Sequence, residues 1–283
     1  MNKLKKIIRG LVAGFGFFIL YYVVSMAVSF VTELAVILRY YPSYITSESG
    51  LTEEQYDLLV NKLYSLNGLM NIITTVLVIG IVALIFLFKG LDAKNILGMR
   101  KPQKGFAWLS YFGGIFTGVS LSCLITMLPV PEAWNEANDE AVGAVTSGNP
   151  LLVIISIFIS APLLEEFVFR GGMMGFIKKN WNTAAAVIIP AVIFGVIHGN
   201  ILQGLYTFAA ALVFSYFRLK GKSFWCAFLA HCGFNMSNIL TALMGSTPAF
   251  MKFVVGTVAL AVVFYGAEHV FSEKIKKDKE TNE

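Results

Sequence analysis

The chain has 283 residues, 57% of them hydrophobic and only 14% charged, with a net charge of +5. Soluble domains carry about 25% charged residues, so this composition excludes an ordinary soluble protein and implies an all-α, polytopic membrane bundle, read as a single integral domain over 1–283. The positive balance does not imply nucleic acid as a partner, because the basic residues sit at helix ends, where orientation signals sit in a lipid bilayer.

The amino-terminal MNKLKKIIRG is followed by an apolar run from Leu11 to Val31. That run is too long for a signal-peptide core and is not followed by a small-residue cleavage site, so it reads as a retained first span. Eight segments have the length and apolarity of a spanning helix: about 10–32, 67–88, 106–129, 151–174, 183–200, 201–218, 223–244 and 249–271. The fifth and sixth share a polar hinge at Gly199-Asn200, which leaves a tilted or partly re-entrant path open. Between the first two spans, Thr52-Glu53-Glu54 offers a cap and an acidic first turn, and Leu58, Leu59 and Leu63 form a stripe, which predicts a short amphipathic helix.

Loop charge alternates. Lys3, Lys5, Lys6 and Arg9 precede the first span, and Lys89, Lys94, Arg100, Lys101 and Lys104 follow the second. Lys178 and Lys179 follow the fourth span, Arg218, Lys220 and Lys222 the sixth, and Lys274, Lys276, Lys277 and Lys279 lie in the tail, 272–283. The intervening loops are acidic: 39–66 holds Glu48, Glu53, Glu54 and Asp57 against Arg39 and Lys62, and 130–150 holds Glu132, Glu136, Asp139 and Glu140 with no Lys or Arg. The positive-inside rule then places both termini in the cytoplasm of a multi-pass cell-membrane protein.

The stretch PLLVIISIFISAPLLEEFVFRG, from Pro150, carries Glu165, Glu166 and Arg170 among apolar residues. A charge at the centre of a spanning helix costs roughly 2.5–3.5 kcal/mol on insertion scales, which makes such residues functional candidates by default. Glu166 and Arg170 are four apart and share a face, so they neutralise each other. Glu165 is rotated by about 100° from Glu166 and finds no partner on its own helix. The bland alternative is an ion-pair staple with Glu165 snorkelling to the surface.

Two of the three histidines lie inside spans: His198 with Phe194 four residues before it, and His231 with Asn235 four residues after it. A lone membrane histidine usually makes a packing hydrogen bond, and Phe194 reads equally as bundle core or as a wall of the site. Two donors on one face, His231 and Asn235, are what an oxyanion hole requires. A carboxylate in a dry site is a candidate general base, and a neutral imidazole can help orient the same water. Cys232 and Ser237 do not share the His231/Asn235 face and are not assigned as nucleophiles. Asn200 and Gln203 are hinge residues with no assigned role, and Glu268 and His269 read as interfacial. Measured from the basic helix ends, Glu165 lies ~20 Å deep, His231 ~12 Å and His198 ~24 Å, a spread the sequence alone leaves open.

EExxxR (Glu165, Glu166, Arg170), FxxxH (Phe194, His198) and HxxxN (His231, Asn235), in this order on successive apolar segments, resemble the CPBP family of CAAX prenyl proteases and bacteriocin-processing enzymes, also called Abi. The resemblance covers about 150–240; the first 100 residues carry no such motif. It implies an eight-helix bundle with a conical cavity open to the cytoplasm. It implies that Glu165 and His198 activate water, that His231 and Asn235 hold the oxyanion, and that Glu166 and Arg170 support them. The reaction implied is peptide hydrolysis without metal or other cofactor, on a membrane-associated peptide or protein. Bacterial relatives are linked to bacteriocin or peptide-signal maturation and immunity, whereas the prenylated substrates of eukaryotic members do not carry over.

Three other readings accompany it. Some relatives act as non-proteolytic membrane scaffolds, regulators or immunity proteins. Glu165, His198 and His231 have the composition of a two-His, one-carboxylate metal site, although no HExxH is present. Buried carboxylates and histidines also build proton relays in transporters, but no repeat of broken helices supports that. Cys123, Cys226 and Cys232 sit in apolar segments as small hydrophobes, with no CxxC or Cys/His zinc spacing.

Overall fold

The structure, a computed structural model, describes residues 2–42 and 51–280, with side chains through residue 272. Glu48 and the lysines of the tail therefore lie outside the described side chains. Ten helices follow in order: α1 (Lys3–Tyr40), α2 (Glu53–Phe88), α3 (Ala93–Ile96), α4 (Phe106–Met127), α5 (Glu132–Thr146), α6 (Pro150–Asn180), α7 (Thr183–Val196), α8 (Ile201–Lys220), α9 (Phe224–Leu243) and α10 (Ala249–Glu280). Among the described residues there is no strand.

A helix stands at each of the eight predicted segments. Six of them, α1, α2, α4, α6, α9 and α10, are long and apolar enough to cross a membrane. The other two are the pair joined at the hinge. With 14 residues, α7 spans ~21 Å, against a hydrocarbon core of about 30 Å. The chain reverses at Gly199, whose φ of +77° is one that glycine adopts without strain. Asn200 then caps α8 by accepting from the Gln203 N–H at 2.8 Å.

The separate amphipathic helix predicted before the second span does not exist as such. Thr52 and Gln55 form a reciprocal capping box, and α2 runs unbroken for 36 residues because no proline or glycine interrupts it before Gly68. Conversely, the acidic loop 130–150 contains a helix, α5. None of its residues is buried. It is tied down by the Asn67 amide donating to the Ala144 carbonyl at 2.9 Å and by Tyr206 donating to Asn138 Oδ1 at 3.4 Å.

The segment α6 is not a uniform α-helix. Ser156–Ser160 and Phe167–Met173 are π-helical and bracket a single α-helical stretch, Ala161–Glu166. Pro162 accounts for the first: it has no N–H for the carbonyl four residues earlier, and the Ala161 N–H bonds the Ser156 carbonyl instead. Such wide turns recur at functional sites.

The basic loops share one face. Phe224 N–H donates to the Gly98 carbonyl at 2.7 Å, Arg218 donates to the Leu97 carbonyl at 3.2 Å, and Ser223 donates to the Arg100 carbonyl. Lys220 pairs with Glu268 at 2.7 Å on the same face. Lys252 is a base at the opposite end of the bundle, where its ammonium donates to the carbonyls of Thr241 and Gly245.

Candidate active site

Four helices deliver the candidate residues. Glu165 and Glu166 sit on the α-helical stretch between the two π turns of α6, with Arg170 one turn on. Phe194 lies near the end of α7, and His198 in the turn that follows it. His231 and Asn235 project from α9, and Phe214 of α8 closes the group from behind. The backbones of α4 and α9 touch through small residues. A side chain at Gly114 would fall on the Ala230 carbonyl, and one at Gly233 on the Tyr111 carbonyl. Close glycine-mediated packing of this kind is common between membrane helices, and here it fixes the height of His231.

Glu166 and Arg170 are wholly buried and pair at 2.8 Å, as their spacing predicts. The same carboxylate oxygen, Glu166 Oε1, accepts from His231 Nδ1 at 2.9 Å. Nothing in the sequence spacing reveals this contact between helices. The other half of the guanidinium, Nε and one terminal nitrogen, has no hydrogen-bond partner among the described residues. It lies against aromatic faces instead, 4.6 Å from the Phe194 ring centre and 5.4 Å from that of Phe214, where the ring quadrupole attracts a desolvated cation.

With Nδ1 committed to Glu166, His231 presents Nε2 to Glu165, 3.8 Å from its Oε2. The ring is stacked on Phe214 at 4.8 Å, so its plane is fixed. His198 Nδ1 bonds the Phe194 carbonyl at 2.6 Å, leaving its Nε2 free. The Asn235 amide donates one hydrogen to the Ile157 carbonyl at 2.7 Å. Ile157 lies in the first π turn, so this bond ties α9 to the irregular part of α6, and the second amide hydrogen remains available.

The predicted residues thus fall into two groups. Glu165, Glu166, Arg170 and His231 form one contact network. His198 and Asn235 stand on the wall of the same cavity, and each spends a polar atom on a backbone carbonyl. The partner that Glu165 meets across the helices is His231, at 3.8 Å, and His198 lies on the wall of the same cavity. Phe194, 1% exposed, is both wall and packing: it lies edge-on to His198 at 4.8 Å and to His231 at 5.9 Å. Cys232 and Ser237 stay outside the contact network, and among the described residues no three His, Cys, Asp or Glu side chains gather at metal-binding spacing.

The cavity measures about 970 Å³ and has Glu165, His198, His231 and Asn235 on its wall. Sequence reasoning missed several of its other walls: Tyr21 and Ser25 from α1, Asn67 and Asn71 from α2, and Asn138 and Asp139 from α5. Polar residues inside α1 and α2 were the available signal. The cavity occupies the half of the bundle away from the basic loops, beneath α5. A cytoplasmic opening, implied by the resemblance, and the orientation implied by loop charge therefore exclude each other in this structure. The spread in estimated depths traces to α7, which ends at Val196 after 14 residues, so that His198 lies in a turn and not inside a full span. Counted from Pro150, Glu165 is ~22 Å in, and His198 is part of the turn at the cavity's own end.

Residues 147–237 match the model of the type II CAAX prenyl endopeptidase Rce1-like family. The "Putative membrane peptidase YdiL" of Bacillus subtilis (strain 168) is 30% identical over 111 residues, which is 39% of this chain and 44% of that protein. The chain thus spans less than half the length of that relative. No solved structure matches the chain. The family match covers every motif residue from Glu165 to Asn235 and, with the similarity to YdiL, supports the CPBP family for the segment that carries the site.

Proposed function

We propose that this multi-pass membrane protein is an intramembrane glutamic endopeptidase, hydrolysing a peptide bond in a membrane-associated peptide or protein without a metal. The observation that carries the reading is the convergence of Glu165, His198, His231 and Asn235 on one cavity wall. The catalytic core is 150–240 within a single integral domain, and the biological setting is peptide-signal or bacteriocin maturation or immunity.

Glu165 is the general base, with His198 Nε2 orienting the water. As the water oxygen bonds to the carbonyl carbon, its proton passes to Glu165 and the carbonyl oxygen becomes an oxyanion. Asn235 contributes its free amide hydrogen to that oxygen, and His231 its Nε2–H. Glu166 holds the Nδ1 proton, so Nε2 is a donor only when both ring nitrogens carry hydrogen. That form also balances charge: two carboxylates face one guanidinium and one imidazolium, which suits a water-poor site. Collapse of the intermediate breaks the C–N bond, and Glu165 returns the proton to the leaving amine. Glu166 and Arg170 touch neither water nor substrate; they position His231.

The test compares new protein termini and peptides in cells carrying the wild type or Glu165→Gln at matched protein levels. Products confined to the wild type are expected. Matching profiles together with a surviving phenotype would defeat the peptidase reading in favour of a non-proteolytic scaffold.

A further inference from the structure

We infer that the Glu165 cavity is entered from the extracytoplasmic side of the membrane, through a mouth roofed by α5, and that its substrate is a peptide segment exposed on that side. The naming of a substrate rests on the peptidase reading; the route of entry does not.

Three features combine. First, the cavity wall takes the same end of each helix. It uses the carboxy-terminal halves of α4 (Gly118 to Thr126) and α9 (His231 to Asn238) and the amino-terminal end of α8 (Leu202 to Ala210). Those ends meet at the face opposite the contacts that join the loops of Gly98, Arg100 and Ser223. Second, charge divides along the same line. The loop after α2 carries Lys89, Lys94, Arg100, Lys101 and Lys104, whereas residues 128–149, which include α5, carry four acidic residues and no Lys or Arg. Lys and Arg in short loops mark the cytoplasmic side; at the other end Lys252 is covered by carbonyl oxygens, and Arg39 and Lys62 share their region with Glu53, Glu54 and Asp57. Third, α5 is built as a roof. It has no buried residue, reaches the bundle through the bonds of Asn138 and Ala144, and turns Asn135, Asn138 and Asp139 into the cavity mouth. A polar mouth on this side admits a hydrated peptide segment. Cytoplasmic carboxy-terminal tails would meet the closed, basic end.

Cysteine accessibility in bacterial spheroplasts tests this, with a membrane-impermeant maleimide as the probe and the native chain as baseline. Glu136→Cys reports the outer face of α5, Ser122→Cys the cavity wall, and Lys101→Cys the basic loop. Glu136→Cys and Ser122→Cys are expected to label in intact spheroplasts, and Lys101→Cys only after permeabilisation. Labelling of Lys101→Cys in intact spheroplasts with protection of Glu136→Cys overturns the orientation, and protection of Ser122→Cys beside a labelled Glu136→Cys overturns the route. A carboxy-terminal reporter gives the orientation without substitution: a fluorescent protein that matures supports it, and an active alkaline phosphatase refutes it. Because labelling needs no catalysis, expected labelling without Glu165-dependent products would sink the peptidase reading and leave the route standing.

Discussion

Glu166 Oε1 accepts from two donors at once, Arg170 at 2.8 Å and His231 at 2.9 Å, and this makes the pair more than an ion-pair staple. Breaking a buried pair by removing one partner costs about 3–5 kcal/mol, whereas replacing both with apolar residues is often neutral. Arg170→Met should therefore unfold well below the wild type in detergent, and Glu166→Met/Arg170→Met should recover most of that stability. Glu165-dependent cleavage should stay lost in the double variant, because His231 no longer has an acceptor at Nδ1. Thermal unfolding and product yield, read on the same samples, separate the two roles; recovery of cleavage in the double variant would reduce Glu166 to a structural counter-ion. The Glu166–Arg170 bond was legible from a spacing of four residues. The Glu166–His231 bond was not, since it joins α6 to α9, 65 residues apart, and no single-helix periodicity encodes it. The Asn235–Ile157 bond was hidden for a further reason: the accepting carbonyl is presented by a π turn, whose cause, Pro162, was visible but whose geometry was not.

At the scale of elements, the site depends on how closely α4 and α9 approach. Gly114→Val would drive its methyls into the Ala230 carbonyl, and overpacking of this kind costs about 1–3 kcal/mol. The helices must part to relieve it, carrying His231 and Asn235 away from Glu165, so at least a tenfold loss of cleavage is expected at near-normal expression. Gly80→Ala, where a side chain meets only open space, is the matched control and should cleave normally. A second expectation concerns α5. An Asn67→Cys/Ala144→Cys pair, placed where the Asn67 amide already bonds the Ala144 carbonyl, should cross-link α5 to α2. If α5 must lift to admit a segment, oxidation should stop cleavage and reduction should restore it; undiminished cleavage in the oxidised protein would mean that the roof is fixed. The spans and the Gly199-Asn200 hinge were legible because length and apolarity dominate membrane helices. The helix α5 escaped because an exposed acidic helix between two spans has neither the apolarity of a span nor a buried stripe, although Trp134, Val142 and Val145 offered a weak helical pattern.

For the whole molecule, the composition of the cavity bears on what enters it. At about 970 Å³ it stands at the upper end of the roughly 300–1,000 Å³ range of binding pockets, enough for an extended segment and too small for a folded domain. Its walls are mainly apolar, with residues such as Met70, Leu121 and Phe234, but Ser25, Asn67, Asn71, Asn138 and Gln203 are spread among them. Laying an isoprenoid chain over such groups would strip them of water without replacing their hydrogen bonds, at about 1–3 kcal/mol for each group left unpaired. That offsets much of the gain from burying the chain's methylenes, about 0.8 kcal/mol each. A farnesylated peptide should therefore compete with Glu165-dependent cleavage no better than the same peptide without the lipid, measured with the purified protein in detergent above its micelle concentration and corrected for partitioning. A tenfold advantage for the lipidated peptide would contradict this and return the chain to the prenyl-protein substrates of the family whose model it matches. Equal competition would fit a cavity that takes its specificity from peptide alone. The charge asymmetry of the loops was readable from sequence, whereas the end at which the cavity opens was not. It emerges only when α1, α2, α4 and α9 are seen to contribute polar residues at the same height, a coincidence among four helices that no one of them records.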